Sequence, residues 1–376
     1  MRRKSKLFDL AIAAVNGLKP YQAGKPIEEL ERELGLKNII KLASNENPKG
    51  PSNRVKTVIK QATDDISLYP DSNGFYLKQA LAAKYSVATE MFTLGNGSND
   101  VLDIIARVFL GPGREAVYSE HAFVVYSIAT QSVSATSRIS AALPEGSEQP
   151  YGHDLVAMRE LVCEQTSVVF IANPNNPTGT WLKTAELERF IKELPAHVIV
   201  VLDEAYCEYS EKYDDTATIN WLQRYPNLII TRTFSKAYGL AGLRVGYSIS
   251  HPDIANVLNR VRQPFNVNSL ALVAAQAALE DEGYIKQTRE LNKRGMQQLE
   301  KGFSELNLSY IPSLGNFISV DVGKNAATIY SKLLCEGVIV RPISEYGLPR
   351  HLRVSVGLAE QNHQLLQALK KVMLDV

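Results

Sequence analysis

The sequence predicts an α/β protein in which a mostly parallel sheet is covered by helices, with a smaller α+β domain at the carboxyl end. Three observations point there. From about residue 75 to 250, short β-branched apolar runs alternate with amphipathic helical stretches, the rhythm of a helix-covered parallel sheet. Polar and charged residues that can do chemistry stand directly after several of these runs, where such sheets bind ligands. After about residue 265 the texture changes to long helical stretches followed by spaced strands. A chain of 376 residues has room for two or three structural units. The division expected is an N-terminal segment (1–45) packed with the small domain, a large domain (46–265) and the small domain itself (266–376).

Taken in order, residues 167–171 read as a buried strand and 183–194 as a helix with Leu187, Phe190 and Ile191 on one face. Residues 198–202, 227–231 and 245–249 continue the strand series. In the second half, 269–279 and 284–306 read as helices, and 316–322, 337–342 and 352–356 as strands. A helix over 327–336 separates the first two of these strands, and one over 361–372 closes the chain. The order of the strands is not legible. At the start, the apolar stretch 7–15 follows Arg2-Arg3-Lys4 but is short and broken by Asp9, so it reads as a short helix and not as a secretion signal.

Composition narrows the function. Lys plus Arg (41) against Asp plus Glu (40) leaves a net charge of +1, with 22% charged and 45% hydrophobic residues, which disfavours a basic nucleic-acid module or a disordered tail. No apolar run approaches the roughly 18 residues that span a bilayer. The three cysteines, Cys163, Cys207 and Cys335, lie far apart, suggesting neither a disulfide framework nor a zinc site. None of the six histidines pairs at metal-site spacing. The expectation is a cytoplasmic protein without metal, membrane or nucleic-acid partner.

Four strand-end motifs carry chemistry. Gly95-Asn96-Gly97-Ser98-Asn99-Asp100 precedes a helical run, so it reads either as a plain cap or as an anion cradle of unpaired first-turn N–H groups. Asn173-Pro174-Asn175-Asn176-Pro177-Thr178-Gly179 is a turn with few backbone alternatives, either a bare connection or a rigid mount for a side-chain amide. Asp203-Glu204-Ala205-Tyr206 puts a carboxylate at the mouth of a buried strand, as a helix cap or as the partner of a buried cation such as a protonated pyridine nitrogen. Thr231-Arg232-Thr233-Phe234-Ser235-Lys236 offers an amine that would be nucleophilic if burial and cationic neighbours lowered its pKa.

In this order, these motifs, with Arg244 eight residues after Lys236, resemble the fold-type-I aminotransferases that use pyridoxal 5′-phosphate. The likeness runs from about Tyr21 to Gly357 and is narrowest to the histidinol-phosphate branch of that family. The phrases Leu18-Lys19-Pro20-Tyr21, Leu42-Ala43-Ser44-Asn45-Glu46-Asn47-Pro48, Tyr69-Pro70-Asp71, the run from Arg232 to Gly246 and Leu352-Arg353-Val354-Ser355-Val356-Gly357 carry it.

The resemblance implies Lys236 as the catalytic amine that binds the cofactor and later moves the substrate proton. It implies Asp203 at the ring nitrogen, Asn176 and Tyr206 at the phenolic oxygen and Phe123 on the ring face. Ser98, Asn99, Thr233, Ser235 and Arg244 would hold the phosphate. Tyr69 would reach into a neighbouring subunit's site, implying a homodimer with a shared active site. Tyr21, Asn47, Arg341 and Arg353 are the expected substrate contacts, with Arg353 gripping a carboxylate in a fork that lysine cannot offer. The expected substrates are histidinol phosphate and 2-oxoglutarate, the latter becoming glutamate. Aromatic aminotransferases, a decarboxylase of a phosphorylated amino acid and a cofactor-binding regulator remain as alternatives. Two departures stand out: Asn99 where many relatives have Asp, and His121-Ala122 where the branch often has Pro-Thr before the stacking aromatic.

Overall fold

The computed structural model describes residues 7, 10–20, 24–209 and 215–374. Its strands are β1 (Ile40–Lys41), β2 (Phe92–Gly95), β3 (Glu115–Ser119), β4 (Thr136–Ser140), β5 (Thr166–Ala172), β6 (Ile199–Asp203) and β7 (Leu228–Thr233). They are followed by β8 (Gly246–Ser250), β9 (Tyr310–Ile311), β10 (Phe317–Asp321), β11 (Val338–Ile339), β12 (Arg341–Pro342) and β13 (His351–Ser355).

Seven of these strands form the large sheet in the order β2-β8-β7-β6-β5-β3-β4. Only β8 runs antiparallel to its neighbours. The apolar runs of β5, β6 and β7 are continuous because both faces of the sheet are covered. Their side chains alternate between two cores: Val168, Phe170, Val201 and Ile229 face one, and Val169, Ile171, Val200, Leu202, Leu228 and Ile230 the other. The strand order reverses between β3 and β5, which opens a crevice at their carboxyl ends.

The small domain is the antiparallel sheet β12-β13-β10-β9 backed by the helices Glu282–Glu305, Ala326–Cys335 and Ala359–Leu374. Its core contains Leu299, Phe303, Val320, Ile329, Val354 and Leu365, together with Ile40 and Leu42 from the N-terminal segment. That segment is tied in by β1, which pairs in parallel with β11.

Two expectations need correction. The helix Ser269–Leu279 falls beyond the expected boundary at 265, yet Ala271, Ala274, Ala275 and Leu279 are buried in the large core, where the helix packs on Asn53–Ala62 and Phe75–Tyr85. Its small side chains allow this close approach and carry no sign of which domain they serve. The single strand expected over 337–342 is two, β11 and β12, which belong to different sheets. At the N-terminus the described residues contain a short 3-10 turn, Val15–Gly17, and part of the helix expected over 7–15 lies outside the described residues.

Candidate active site

One cavity opens at the carboxyl ends of the large-sheet strands and is closed by the small domain and the N-terminal segment. Ser98, Asn99, Phe123, Asn176, Asp203, Tyr206, Thr233, Ser235, Lys236, Arg244, Arg341 and Arg353 all line it. Three expected residues are not among them. Tyr69 lies on the surface, stacked on Phe265 at 4.7 Å. Tyr21 lies outside the described residues. Asn47 is buried behind the wall, where its amide donates to the Ala237 carbonyl (2.8 Å), the Tyr284 hydroxyl (3.1 Å) and Thr288 Oγ1 (3.3 Å).

Asp203 ends β6 with its carboxylate toward the cavity, while strand alternation turns Glu204 the other way onto Arg232 (Nε–Oε2 2.8 Å) in a fully buried ion pair. Oδ2 of Asp203 accepts from the Tyr126 hydroxyl at 2.8 Å and Oδ1 from Thr231 Oγ1 at 3.0 Å. Burial raises the carboxyl pKa to about 6, against the lowering effect of these two hydrogen bonds. A cation placed against Asp203 would restore full ionisation. Tyr126 is fixed by stacking on Phe170 at 4.8 Å.

Lys236 follows β7. Its Nζ donates to the Ser44 carbonyl at 3.0 Å and stands 5.8 Å from the centre of the Tyr206 ring. Burial lowers its pKa to about 7, with Arg353, Arg244 and Lys41 adding to the shift and Glu46 opposing it. A substantial share of the amine is therefore neutral near pH 7, as a nucleophile or proton acceptor must be. The Tyr206 hydroxyl accepts from Asn45 Nδ2 at 3.0 Å.

The anion cradle is built by close backbone approach. Gly97 (φ 84°) precedes the helix Ser98–Phe109, and no side chain caps that helix, so the cap reading of Ser98 and Asn99 does not hold. A Cβ on Gly97 would lie 2.5 Å from Arg244 Nη2, and one on Gly246 would lie 2.4 Å from the Ser98 nitrogen. Arg244 Nη1 reaches Ser235 Oγ at 3.4 Å, and Thr233 Oγ1 accepts from the Ser235 N–H at 3.1 Å. First-turn N–H groups, a guanidinium and hydroxyls together suit a phosphate.

On the opposite wall, the pairing of β12 with β13 sets Arg341 directly across from Arg353. Arg353 donates to Asn176 Oδ1 (2.5 Å) and to the Ala43 carbonyl (2.7 Å), and its guanidinium lies 5.5 Å from the Phe317 ring centre. Like charges directly opposite each other destabilise a sheet, so this pair is an arrangement for anions. The donors fit the expected group: a buried carboxylate for a ring nitrogen, a cradle for a phosphate and a low-pKa amine, all on one cavity. Among the described residues no group of three or more histidine, cysteine or acidic side chains could hold a metal ion.

Sequence reasoning missed Tyr126, Thr231, Asn45, Ser44 and Tyr346. Tyr126 sits one turn after Phe123, on the same helix face, which is the signal that could have found it. Asn45 lay two residues from the one chosen.

The fold and this site define an aminotransferase, and the chain belongs to the family described as aminotransferase class I and II, whose model matches residues 37–369. Within that family its likeness is to histidinol-phosphate aminotransferases. It is 56% identical over 366 residues to histidinol-phosphate aminotransferase 2 of Pseudomonas fluorescens (strain Pf0-1), covering 97% of each chain. It is 55% identical over 371 residues to the enzyme of the same name from Pseudomonas aeruginosa, covering 98% of this chain and 99% of that one. The solved histidinol-phosphate aminotransferase of Sinorhizobium meliloti, in complex with pyridoxal-5′-phosphate, superposes with a TM-score of 0.87 at 29% identity, covering 96% of this chain and 97% of that one.

Proposed function

We propose that the protein catalyses pyridoxal-phosphate-dependent transamination of L-histidinol phosphate with 2-oxoglutarate, giving imidazole-acetol phosphate and L-glutamate, a step of histidine biosynthesis. The observation that carries this reading is the meeting of Lys236, Asp203, Arg341 and Arg353 on one cavity, in a chain similar along nearly its whole length to enzymes of that name.

Asp203 would hold the ring nitrogen, Asn176 and Tyr206 the phenolic oxygen, and Phe123 a ring face. Ser98, Asn99, Thr233, Ser235 and Arg244 would hold the phosphate. When bound, pyridoxal phosphate supplies a carbonyl for amine exchange and a ring that accepts the electron pair released at the substrate α-carbon. The chain supplies the rest. Nζ of Lys236 is the amine that would hold the cofactor at rest and, when free, would take the substrate's α-proton. The same amine, now a general acid, would deliver that proton to C4′ of the cofactor, so that hydrolysis leaves the amino group there. Asp203 stays anionic against the ring cation. Arg353 and Arg341 anchor the anionic ends of the donor and of the 2-oxo acid, which take turns in one site; Tyr21 completes this anchor.

The protein works as a homodimer in which Tyr69, 83% exposed and away from its own cavity, completes the neighbour's site. It acts in the cytoplasm, which suits cysteines that form no disulfide among the described residues. No helix among the described residues is long and apolar enough to cross a membrane.

Absorbance of the purified protein tests the reading. Histidinol phosphate should convert the cofactor band rapidly to the pyridoxamine form, and phenylalanine much more slowly. The reverse preference would make this an aromatic aminotransferase. Absence of any cofactor band after pyridoxal phosphate is supplied would remove the cofactor itself.

A further inference from the structure

Arg341 and Arg353 face each other across β12 and β13, and they are only 8% and 7% exposed. Two cations withdrawn from water at adjacent positions cost stability unless anions attend them. Arg353 spends donors on neutral partners, the Asn176 and Ala43 oxygens. Arg341 instead binds a carboxylate: its Nη2 donates to Oε1 of Glu345, four residues on.

Glu345 lies on the 3-10 turn Ser344–Tyr346, and the backbone of that turn is pinned. Ile343, Tyr346 and Leu348 are buried in a cluster with Ile311. His121 Nδ1 donates to the Tyr346 carbonyl at 2.5 Å, fastening the turn to the large domain beside Phe123. The Glu345 side chain itself is 42% exposed, so it can swing into water about its own torsions while the turn stays in place. An anionic group arriving at Arg341 meets the charge of this carboxylate, and repulsion between the two favours its departure. A donor with an uncharged end leaves the ion pair intact.

We propose that Glu345 is the resident counter-ion of the substrate-anion site, exchanged at Arg341 for the anionic end of the substrate, and that it thereby sets how strongly anionic donors are preferred over uncharged ones. The proposal rests on the assignment of Arg341 to the substrate anion made above. Glu345 touches neither cofactor nor reacting atoms and acts through Arg341, as a positioning residue.

The test uses the holoenzyme, inorganic phosphate as an inhibitor competing with histidinol phosphate, and L-histidinol as the same donor without its anion. Glu345→Gln should lower the phosphate inhibition constant and the KM for histidinol phosphate by about three- to tenfold. The kcat and the affinity for histidinol should stay unchanged. Glu345→Ala, which removes this carboxylate from Arg341 altogether, should move the same constants in the same direction. Arg341→Gln should raise both phosphate-dependent constants. If Arg341→Gln raises them and the Glu345 variants leave them unmoved, or if histidinol is affected as much as its phosphate, the counter-ion exchange is overturned. If Arg341→Gln leaves phosphate inhibition intact, the anion binds elsewhere, and both the exchange and the assignment of Arg341 fall.

Discussion

Lys236 and Asp203 show how one cavity holds two ionisable groups out of their ordinary ranges by the same means, burial, with opposite results. The lysine is driven down to about 7 and the aspartate up to about 6. For the cofactor-free protein, the unfolded chain binds more protons at Lys236 than the folded one between pH about 7 and the ordinary lysine value of 10.5. The contribution of this residue to stability therefore increases as pH rises through that window. The same titration governs nucleophilicity. Covalent capture of pyridoxal phosphate by the apoprotein should speed up with a midpoint near pH 7; a midpoint above about 9 in stopped-flow absorbance would mean that the amine is solvated. Lys236→Ala should abolish transamination while cofactor remains bound without a covalent link, held by Asp203 and the cradle. Turnover near the parent rate would remove Lys236 from the chemistry. Tyr126→Phe deletes one hydrogen bond to the Asp203 carboxylate, worth about 1.5 kcal/mol for a charged acceptor, so kcat/KM should fall about tenfold near neutral pH. An unchanged value would show that Asp203 needs no such support.

At the scale of the elements, the cradle depends on how closely β8 approaches the first turn of the helix Ser98–Phe109. Gly246→Ala puts a methyl group 2.4 Å from the Ser98 nitrogen and 2.8 Å from the Gly97 carbonyl carbon, both backbone atoms that cannot rotate aside. The helix start must shift. We expect a loss of about 1–3 kcal/mol in thermal or denaturant unfolding and at least about tenfold weaker cofactor binding by titration. Retention of both would show that the cradle is looser than its geometry. The strands that build this site were legible because β5, β6 and β7 are buried on both faces and therefore read as unbroken apolar runs. The candidate site residues after these strands, Asn176, Asp203 and Lys236, which the structure brings together on one cavity, were legible for the same reason. What escaped depends on partners remote in the chain. The division of residues 337–342 into β11 and β12 is made by the pairing of Val338 with Ile40 and of Arg341 with Arg353. The choice between Asn45 and Asn47 is made by the Tyr206 hydroxyl on one side and Tyr284 and Thr288 on the other. Neither partner is visible in the local sequence.

At the scale of the whole molecule, the proposed shared site makes a prediction that no single residue makes. Chains bearing Lys236→Ala and chains bearing Tyr69→Ala should each be poor catalysts alone. Coexpressed, they should recover activity, because one of the two sites in a mixed dimer regains both native side chains. Activity no higher than that of the Tyr69 variant would place Tyr69 outside the site. Within one chain, the wall of the cavity next to Lys236 comes from the N-terminal segment: the Ala43 carbonyl meets Arg353, the Ser44 carbonyl meets Lys236, and the Asn45 N–H meets Ser355 Oγ. The last of these contacts joins residues 310 positions apart. On the ribosome, residues 43–45 therefore emerge long before the groups they are to meet. Most of the large sheet can pair while β13 is still unmade, yet the pocket cannot close until β13 has been added. Cofactor capture is thereby deferred until β13 has emerged, and a chain that stops short of β13 yields a large domain without a working site.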